Sequence, residues 1–262
     1  MHHRKDDPGF VTVSGRVAPG STDGARVAQG AAPAARLSLA RRAVVEAVGT
    51  GLLVAAVVCS GIMGERLAGG NVGLALLANT AATGAALVAL ILALGPLSGA
   101  HLNPVVTLAE GIGGDLSRAD VPAYIVAQVT GGLLGTAVAN LMFEGSVFSL
   151  SRHVRAGPAQ LFSEVVATFG LVLIIGTCVR RRPHSVPFAV AAYITAAYWF
   201  TASTSFANPA VTVARAVSDS FAGIRPGDVP GFVAAQLLGG ALAVALVRWL
   251  LPQSALAERE HG

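Results

Sequence analysis

Two segments of this chain are near copies of each other: Asn103-Pro-Val-Val-Thr107 returns as Asn208-Pro-Ala-Val-Thr212, 105 residues later. Other pairs keep the same order. Glu46-Ala-Val-Gly-Thr50 is matched by Glu164-Val-Val-Ala-Thr168 after 118 residues, and Asp120-Val-Pro with Ala127-Gln128 by Asp228-Val-Pro with Ala235-Gln236 after 108. Three anchors in one order mark a duplication. Each half also holds three apolar stretches close to the roughly 20 residues a helix needs to cross a bilayer. They run at Ala43 to Ile62, Gly73 to Leu94 and Val121 to Met142, then at Leu161 to Val179, Val186 to Phe206 and Pro230 to Leu251. Three is odd, so the second half must lie upside down relative to the first. An inverted repeat of this kind puts a transport pathway near the midplane, between the halves.

The composition agrees. Charged residues make up 12% of the 262, against about 25% in soluble domains, too few to keep a soluble surface dispersed. Hydrophobic residues reach 53%, with 31 glycines and only 6% aromatics, so the apolar content is mostly small. The net charge of +4 does not point to nucleic acid: seven of the eighteen Lys and Arg precede the first span, and three sit together at Arg180 to Arg182. Aromatic and basic residues nowhere alternate as a base-stacking surface requires. Cys59 and Cys178 fall inside apolar stretches and read as small hydrophobes.

Residues 1–39 carry no periodicity and read as a disordered tail, with a second tail at 252–262 and a membrane domain at 40–251 whose repeats cover 43–150 and 160–251. Without an apolar h-region in the first tail, the first span is expected to serve as an uncleaved anchor. The positive-inside bias favours cytoplasmic termini. Arg36, Arg41, Arg42, Arg118, Arg180 to Arg182, Arg248 and Arg259 then lie inside, and only Arg66, Arg152, Arg155, Arg215 and Arg225 outside. The expected location is the inner (plasma) membrane of the cell, crossed several times.

Two further helical patterns, Asn103 to Gly111 and Asn208 to Val217, are too short to span. Asn followed by Pro is a helix start: the Asn side chain caps free N–H groups, and Pro at the first position forfeits no needed hydrogen bond. In inverted halves, the two short helices enter from opposite faces and meet N-terminus to N-terminus near the bilayer centre. Irregular backbone at that depth must be buried in protein or line a water-filled cavity. The opposed N-termini produce a positive field there, and the Asn103 and Asn208 amides can donate to a passing solute.

Ser98-Gly-Ala-His101-Leu-Asn103-Pro104-Val105 and Asn208-Pro209-Ala210 resemble the signature loops of the aquaporins, the major intrinsic proteins. The resemblance runs from about Ala43 to Leu251 and includes both span-initial glutamates and a Gln-x-x-Gly-Gly element in the third and sixth spans. It implies an all-α membrane protein, with six transmembrane helices and two re-entrant half-helices in an aquaporin-like inverted repeat. Such proteins are channels rather than enzymes, commonly homotetramers in the lipid bilayer, and need no cofactor or metal. Glu46 and Glu164 would hold the re-entrant loops by accepting backbone N–H bonds. His101 would line the inner half of the pore, although a lone loop histidine is more often simply hydrogen-bonded.

The departures from the family pattern carry more information. Water- and glycerol-conducting members have an arginine three residues after the second Asn, where this chain has Val211. The other three constriction positions, carried over by distance from the boxes, fall on Thr83, Ala196 and Ser205, all small. Val105 stands where the first box usually has Ala, a change expected to affect packing more than selectivity. The filter is thus expected to be wide, uncharged and short of donors. Arg215, one helical turn beyond Val211, either reaches back as a substitute or is a salt-bridged or solvated vestibule residue; its inverted counterpart is Glu110.

The run Asn208-Pro-Ala-Val-Thr-Val-Ala-Arg215, with Ser218-Asp-Ser-Phe-Ala-Gly223, is similar to a bacterial aquaporin branch associated with arsenic resistance. That resemblance implies passage of neutral metalloid hydroxides such as arsenous acid, beside water and polyols. A water or glycerol facilitator is the nearest alternative. An ion-coupled secondary transporter is a different class that would need ionisable residues free at the midplane, and the only acidic residues well inside the spans, Glu46 and Glu164, are both taken up as loop anchors by the resemblance.

Overall fold

A computed structural model describes residues 37–252, and its described residues are helical or irregular, without strands. The helices are α1 (Leu39–Leu67), α2 (Val72–Ser98), α3 (Pro104–Gly113), α4 (Val121–Met142), α5 (Pro158–Arg181), α6 (Val186–Phe200), α7 (Pro209–Arg215) and α8 (Val229–Leu250). The two expected tails lie outside the described residues, apart from residues 37–39 and 252, and Leu39 already belongs to α1. Helix starts follow local chemistry. Proline occupies the first turn of α3 through α8, where its missing N–H costs nothing. Asn71, Asn103 and Asn208 cap α2, α3 and α7 with their side chains.

Five segments are long and apolar enough to cross a membrane: α1, α2, α4, α5, and α8 with the 3-10 turn before it. The fifth expected span needs correction. The apolar run from Val186 suggests a helix to Phe206, but α6 stops at Phe200 after 15 residues, about 22 Å of rise. Beyond Phe200 the chain leaves the helix, and the N–H groups of Phe206 and Ala207 bond a partner described below.

The duplication is visible in the packing. α1 packs on α4 and α2 as α5 packs on α8 and α6; α3 lies against α4 and α8, and α7 against α8 and α4. Small residues set the α1–α4 and α5–α8 crossings. A Cβ built on Gly131 would meet the Ala47 carbonyl at 2.0 Å, one on Gly135 the Gly51 carbonyl at 2.2 Å, and one on Gly239 the Val165 carbonyl at 2.4 Å. Backbone lies against backbone here, the approach that small residues permit between helices in lipid. Val105 fills the junction of α3 with α8: its Cγ1 lies 2.3 Å from where a Gly240 Cβ would be.

Polar clasps tie the ends. At the start of α1, Arg42 donates to Asp120 at 2.8 Å and to the Tyr124 hydroxyl at 3.2 Å, joining α1 to α4. At the opposite end, the α4–α5 loop is stitched to the loop after α7. Ser149 and Ser151 N–H groups donate to the Val217 and Ala216 carbonyls, and Arg152 grips Asp219 through its backbone N–H and Nε at 3.0 and 2.8 Å. Those two hydrogen bonds hold the Asp219 carboxyl below its ordinary range.

Gly131→Ala pushes a methyl into the Ala47 backbone, which cannot yield as a flexible side chain would. The expected cost is about 3 kcal/mol, seen as a lowered unfolding temperature in detergent. Gly95→Ala, whose Cβ meets nothing within 4 Å, is the control and leaves that temperature unlowered. Equal behaviour of the two variants would refute the close-crossing account.

Candidate functional site

The two Asn boxes meet in the middle of the bundle and lock each other. Asn103 Nδ2 donates to the Ala207 carbonyl and Asn208 Nδ2 to the Leu102 carbonyl, both at 2.8 Å. Each amide therefore holds the residue just before the other's Asn. Their Oδ1 atoms cap the half-helices, accepting from the N–H of Val105 at 2.9 Å, and of Ala210 and Val211 at 3.0 and 3.3 Å. An amide nitrogen carries two hydrogens, so each Asn keeps one beyond its cross-link.

The loops leading into the boxes adopt a conformation that their residues resist. Ala100 and Leu102 have φ of 46° and 50°, and Ser205 and Ala207 have 51° and 46°. These are the same two places before each Asn, and none is glycine, so each costs about 1–2 kcal/mol. Buried carboxylates offset the strain. Glu46 accepts from the N–H of His101 and Leu102 at 3.0 and 2.7 Å; Glu164 accepts from the N–H of Phe206 and Ala207, both at 2.9 Å.

Each carboxylate is held in turn. Gln128 Nε2 donates to Glu46 and to Thr107 Oγ1, both at 2.8 Å, and Gln236 Nε2 donates to Glu164 and Thr212 Oγ1 at 2.6 and 2.9 Å. Ser98 Oγ adds a fourth bond to Glu46 at 2.7 Å. Both glutamates are fully buried.

This arrangement orients acceptors. In a trans peptide the C=O points opposite to the N–H. With the N–H groups of residues 101, 102, 206 and 207 turned to the glutamates, the carbonyls of Ala100, His101, Ser205 and Phe206 turn away from them. None of these four accepts a hydrogen bond from the described residues. Two such carbonyls on each side, without partners among the described residues, thus flank the two Asn donors.

Of the constriction positions expected from spacing, Thr83, Ser205 and Val211 are each buried. Ser205 Oγ has no partner among the described residues. Ala196 does not join them. It is exposed, about 200° around α6 from buried Ile194 at 100° per residue. Tyr198, two residues on and buried, reaches the site instead, its hydroxyl 3.3 Å from Thr83 Oγ1. Counting twelve residues back from Asn208 ignores the phase that packing gives α6.

Arg215 is neither solvated nor salt-bridged among the described residues. It is 2% exposed, donates through Nε to the Ala222 carbonyl, and its guanidinium carbon sits 3.4 Å from the Phe206 ring centroid. Its guanidinium faces Phe206. A second arginine, not foreseen as a site residue, stands beside it. Arg155 of the α4–α5 loop is buried, with its guanidinium carbon 4.9 Å from the same ring. Burial pushes its pKa down to about 10, against the pull of Tyr198 and Glu164, so it stays charged near neutral pH. Its place in a long loop gave no sequence signal.

At the α3 end, His101 is half-buried, with Nδ1 3.1 Å from Thr107 Oγ1 and its ring tilted against Tyr124. Glu110 lines a separate cavity with Asp115, Arg180 and Arg248 at the ends of α3, α5 and α8.

Residues 34–190 match the major intrinsic protein family. Aquaglyceroporin AqpS of Rhizobium meliloti (strain 1021) is 59% identical over 213 residues, covering 81% of this chain and 91% of that protein. The chain belongs to the major intrinsic protein family. Aquaporin Z of Rhodopseudomonas palustris is 29% identical over 200 residues, covering 70% of the chain and 82% of that relative. The solved aquaglyceroporin of Plasmodium falciparum superposes with a TM-score of 0.62 over 84% of this chain and all of that one. At 18% identity it speaks for the fold of this major intrinsic protein alone.

Glu164→Gln replaces an acceptor by a donor facing the Phe206 and Ala207 N–H groups. Losing charge-assisted bonds at a buried site is expected to cost about 2–3 kcal/mol and to release the strained loop. Thermal unfolding in detergent and solute flux in proteoliposomes should both fall. Unchanged values in both would remove Glu164 from its anchoring role.

Proposed function

We propose that the chain forms a passive channel for small neutral solutes, with uncharged metalloid hydroxides such as arsenous acid among them. The observation that carries this reading is the double file of unpaired carbonyls around Asn103 and Asn208. A polyol-like solute, each hydroxyl of which donates and accepts, exchanges its water shell for such groups at little cost. A cation finds no matching counter-charge, since both glutamates are fully engaged. That engagement also argues against an ion-coupled transporter, whose driving ion needs a free ionisable site at the midplane.

Val211 stands where water- and glycerol-conducting members carry arginine, which removes a fixed fork of donors. Arsenous acid, water and glycerol all fit the chemistry, and the likeness to a protein named aquaglyceroporin supports a polyol-sized bore. A general water and glycerol facilitator is the second reading, favoured by the ring that Tyr198 brings to Thr83. Asn103, Pro104, Val105, Asn208, Pro209 and Ala210 form the central junction in this reading. Thr83, Ser205, Val211 and Tyr198 form the constriction, Glu46 and Glu164 the loop anchors, and His101 and Arg215 the vestibule. The domain at 40–251 would work as a homotetramer in the inner membrane with both termini cytoplasmic; the exposed apolar faces, such as Leu134, Val138 and Leu141 on α4, suit lipid or a neighbouring subunit.

Purified protein in proteoliposomes under an imposed gradient is expected to pass glycerol and arsenous acid well above empty vesicles, without saturation and without need of a proton or sodium gradient. Val211→Arg should lower the flux of both solutes by about tenfold, the cost of one steric and desolvation step of some 1.4 kcal/mol. Arsenous acid flux equal to that of empty vesicles would end the metalloid reading and leave the facilitator. Gradient-dependent, saturating flux would end the channel reading.

A further inference from the structure

Arg155 has no role in holding the Asn boxes, yet it is 7% exposed and makes no ion pair among the described residues. An unpaired buried charge is costly and is kept where it serves a function or is well solvated by protein dipoles. Here the dipoles all belong to one end of the pathway. Nε donates to the Gly223 carbonyl at 2.8 Å, Nη1 to the Ser203 carbonyl and Thr204 Oγ1 at 3.3 and 3.4 Å, and Nη2 to the Phe221 carbonyl at 3.4 Å. Ser203 and Thr204 lead directly into Ser205, so the charge is fastened to the loop that carries the constriction.

The backbone is fastened as well. Arg155 N–H donates to Asp228 at 2.9 Å, and Arg225 N–H to the His153 carbonyl at 2.7 Å. Gly223 leaves room for the approach, since a Cβ there would lie 2.2 Å from Ser151 Oγ. Arg215 brings a second guanidinium to the Phe206 ring, again without an ion pair among the described residues. Tyr198, whose hydroxyl touches Thr83, and the Glu164 carboxylate both lie within electrostatic reach of the two arginines.

We infer that Arg155, seconded by Arg215, supplies the positive charge that excludes cations from this channel, taking over from the loop side what Val211 cannot provide. The inference rests on the proposed neutral-solute pore. Two like charges in a partly desolvated mouth act over several ångströms with little screening, whereas neutral solutes feel them only through hydrogen bonding. The charge can sit to one side of the bore, so exclusion of cations does not require the narrowing that an arginine at position 211 would impose.

The test measures sodium conductance and glycerol flux in the same proteoliposomes and takes their ratio. Arg155→Gln should raise the ratio at least about tenfold, and Arg155→Lys should keep it near the parent value, because charge rather than the guanidinium fork is at issue. Thr204→Glu sets a carboxylate against Nη1 and neutralises the charge without removing the side chain, and should raise the ratio even if Arg155→Gln fails to assemble. A parent-like ratio in Thr204→Glu, or a lysine variant as leaky as glutamine, would overturn the inference. Absence of glycerol flux in the parent would instead overturn the channel reading on which it rests.

Discussion

The fold depends on two carboxylates buried where water cannot reach them. Glu46 and Glu164 each accept backbone N–H groups from a loop that would otherwise be strained and unsatisfied inside the membrane domain. The dependence runs both ways. Each buried carboxylate needs those donors to satisfy its oxygens, and the left-handed residues at 100, 102, 205 and 207 are held in place by the carboxylate. Gln128 and Gln236 join each glutamate to a threonine of the adjacent half-helix, so loop, span and half-helix are fixed as one body.

Much of this was legible in the sequence because it is written as short repeated motifs. The Asn-Pro boxes announce helix starts by capping chemistry alone, and the odd number of spans per half forces the inversion. The glycines that let α1 meet α4 and α5 meet α8 stand out as small residues in apolar runs. What stayed hidden depends on tertiary phase. Ala100, Leu102, Ser205 and Ala207 give no hint of left-handed backbone, since glycine is the usual mark of it. The phase of α6 is set by packing against α2 and α5, which turns Tyr198 rather than Ala196 toward Thr83. The end of α6 at Phe200 was masked by the same apolar residues that Glu164 draws out of the helix.

Arg155 shows a different limit. It lies some fifty residues before the loop it supports, in a segment without periodicity, and only the stitching of Ser149, Ser151 and Arg152 onto the α7 loop brings it there. A scan of constriction positions counted from the boxes cannot find such a residue. The same holds for Phe206, which counts as apolar in sequence but acts as the surface on which two guanidinium groups rest.

Selectivity for size and selectivity for charge need not be built from one side chain. An arginine within a constriction does both: its bulk narrows the path and its charge repels cations. With valine at position 211, the wall there is apolar and short, while unpaired positive charge stands a turn or more away, beside Phe206. In that division the bore can widen for solutes larger than water without opening to cations. Electrostatic repulsion falls off slowly in a low-dielectric surround, whereas steric exclusion ends at contact. A channel arranged in this way would be permissive toward neutral hydroxylated solutes and restrictive toward cations of any size, a combination that neither the boxes nor the glutamates alone would produce.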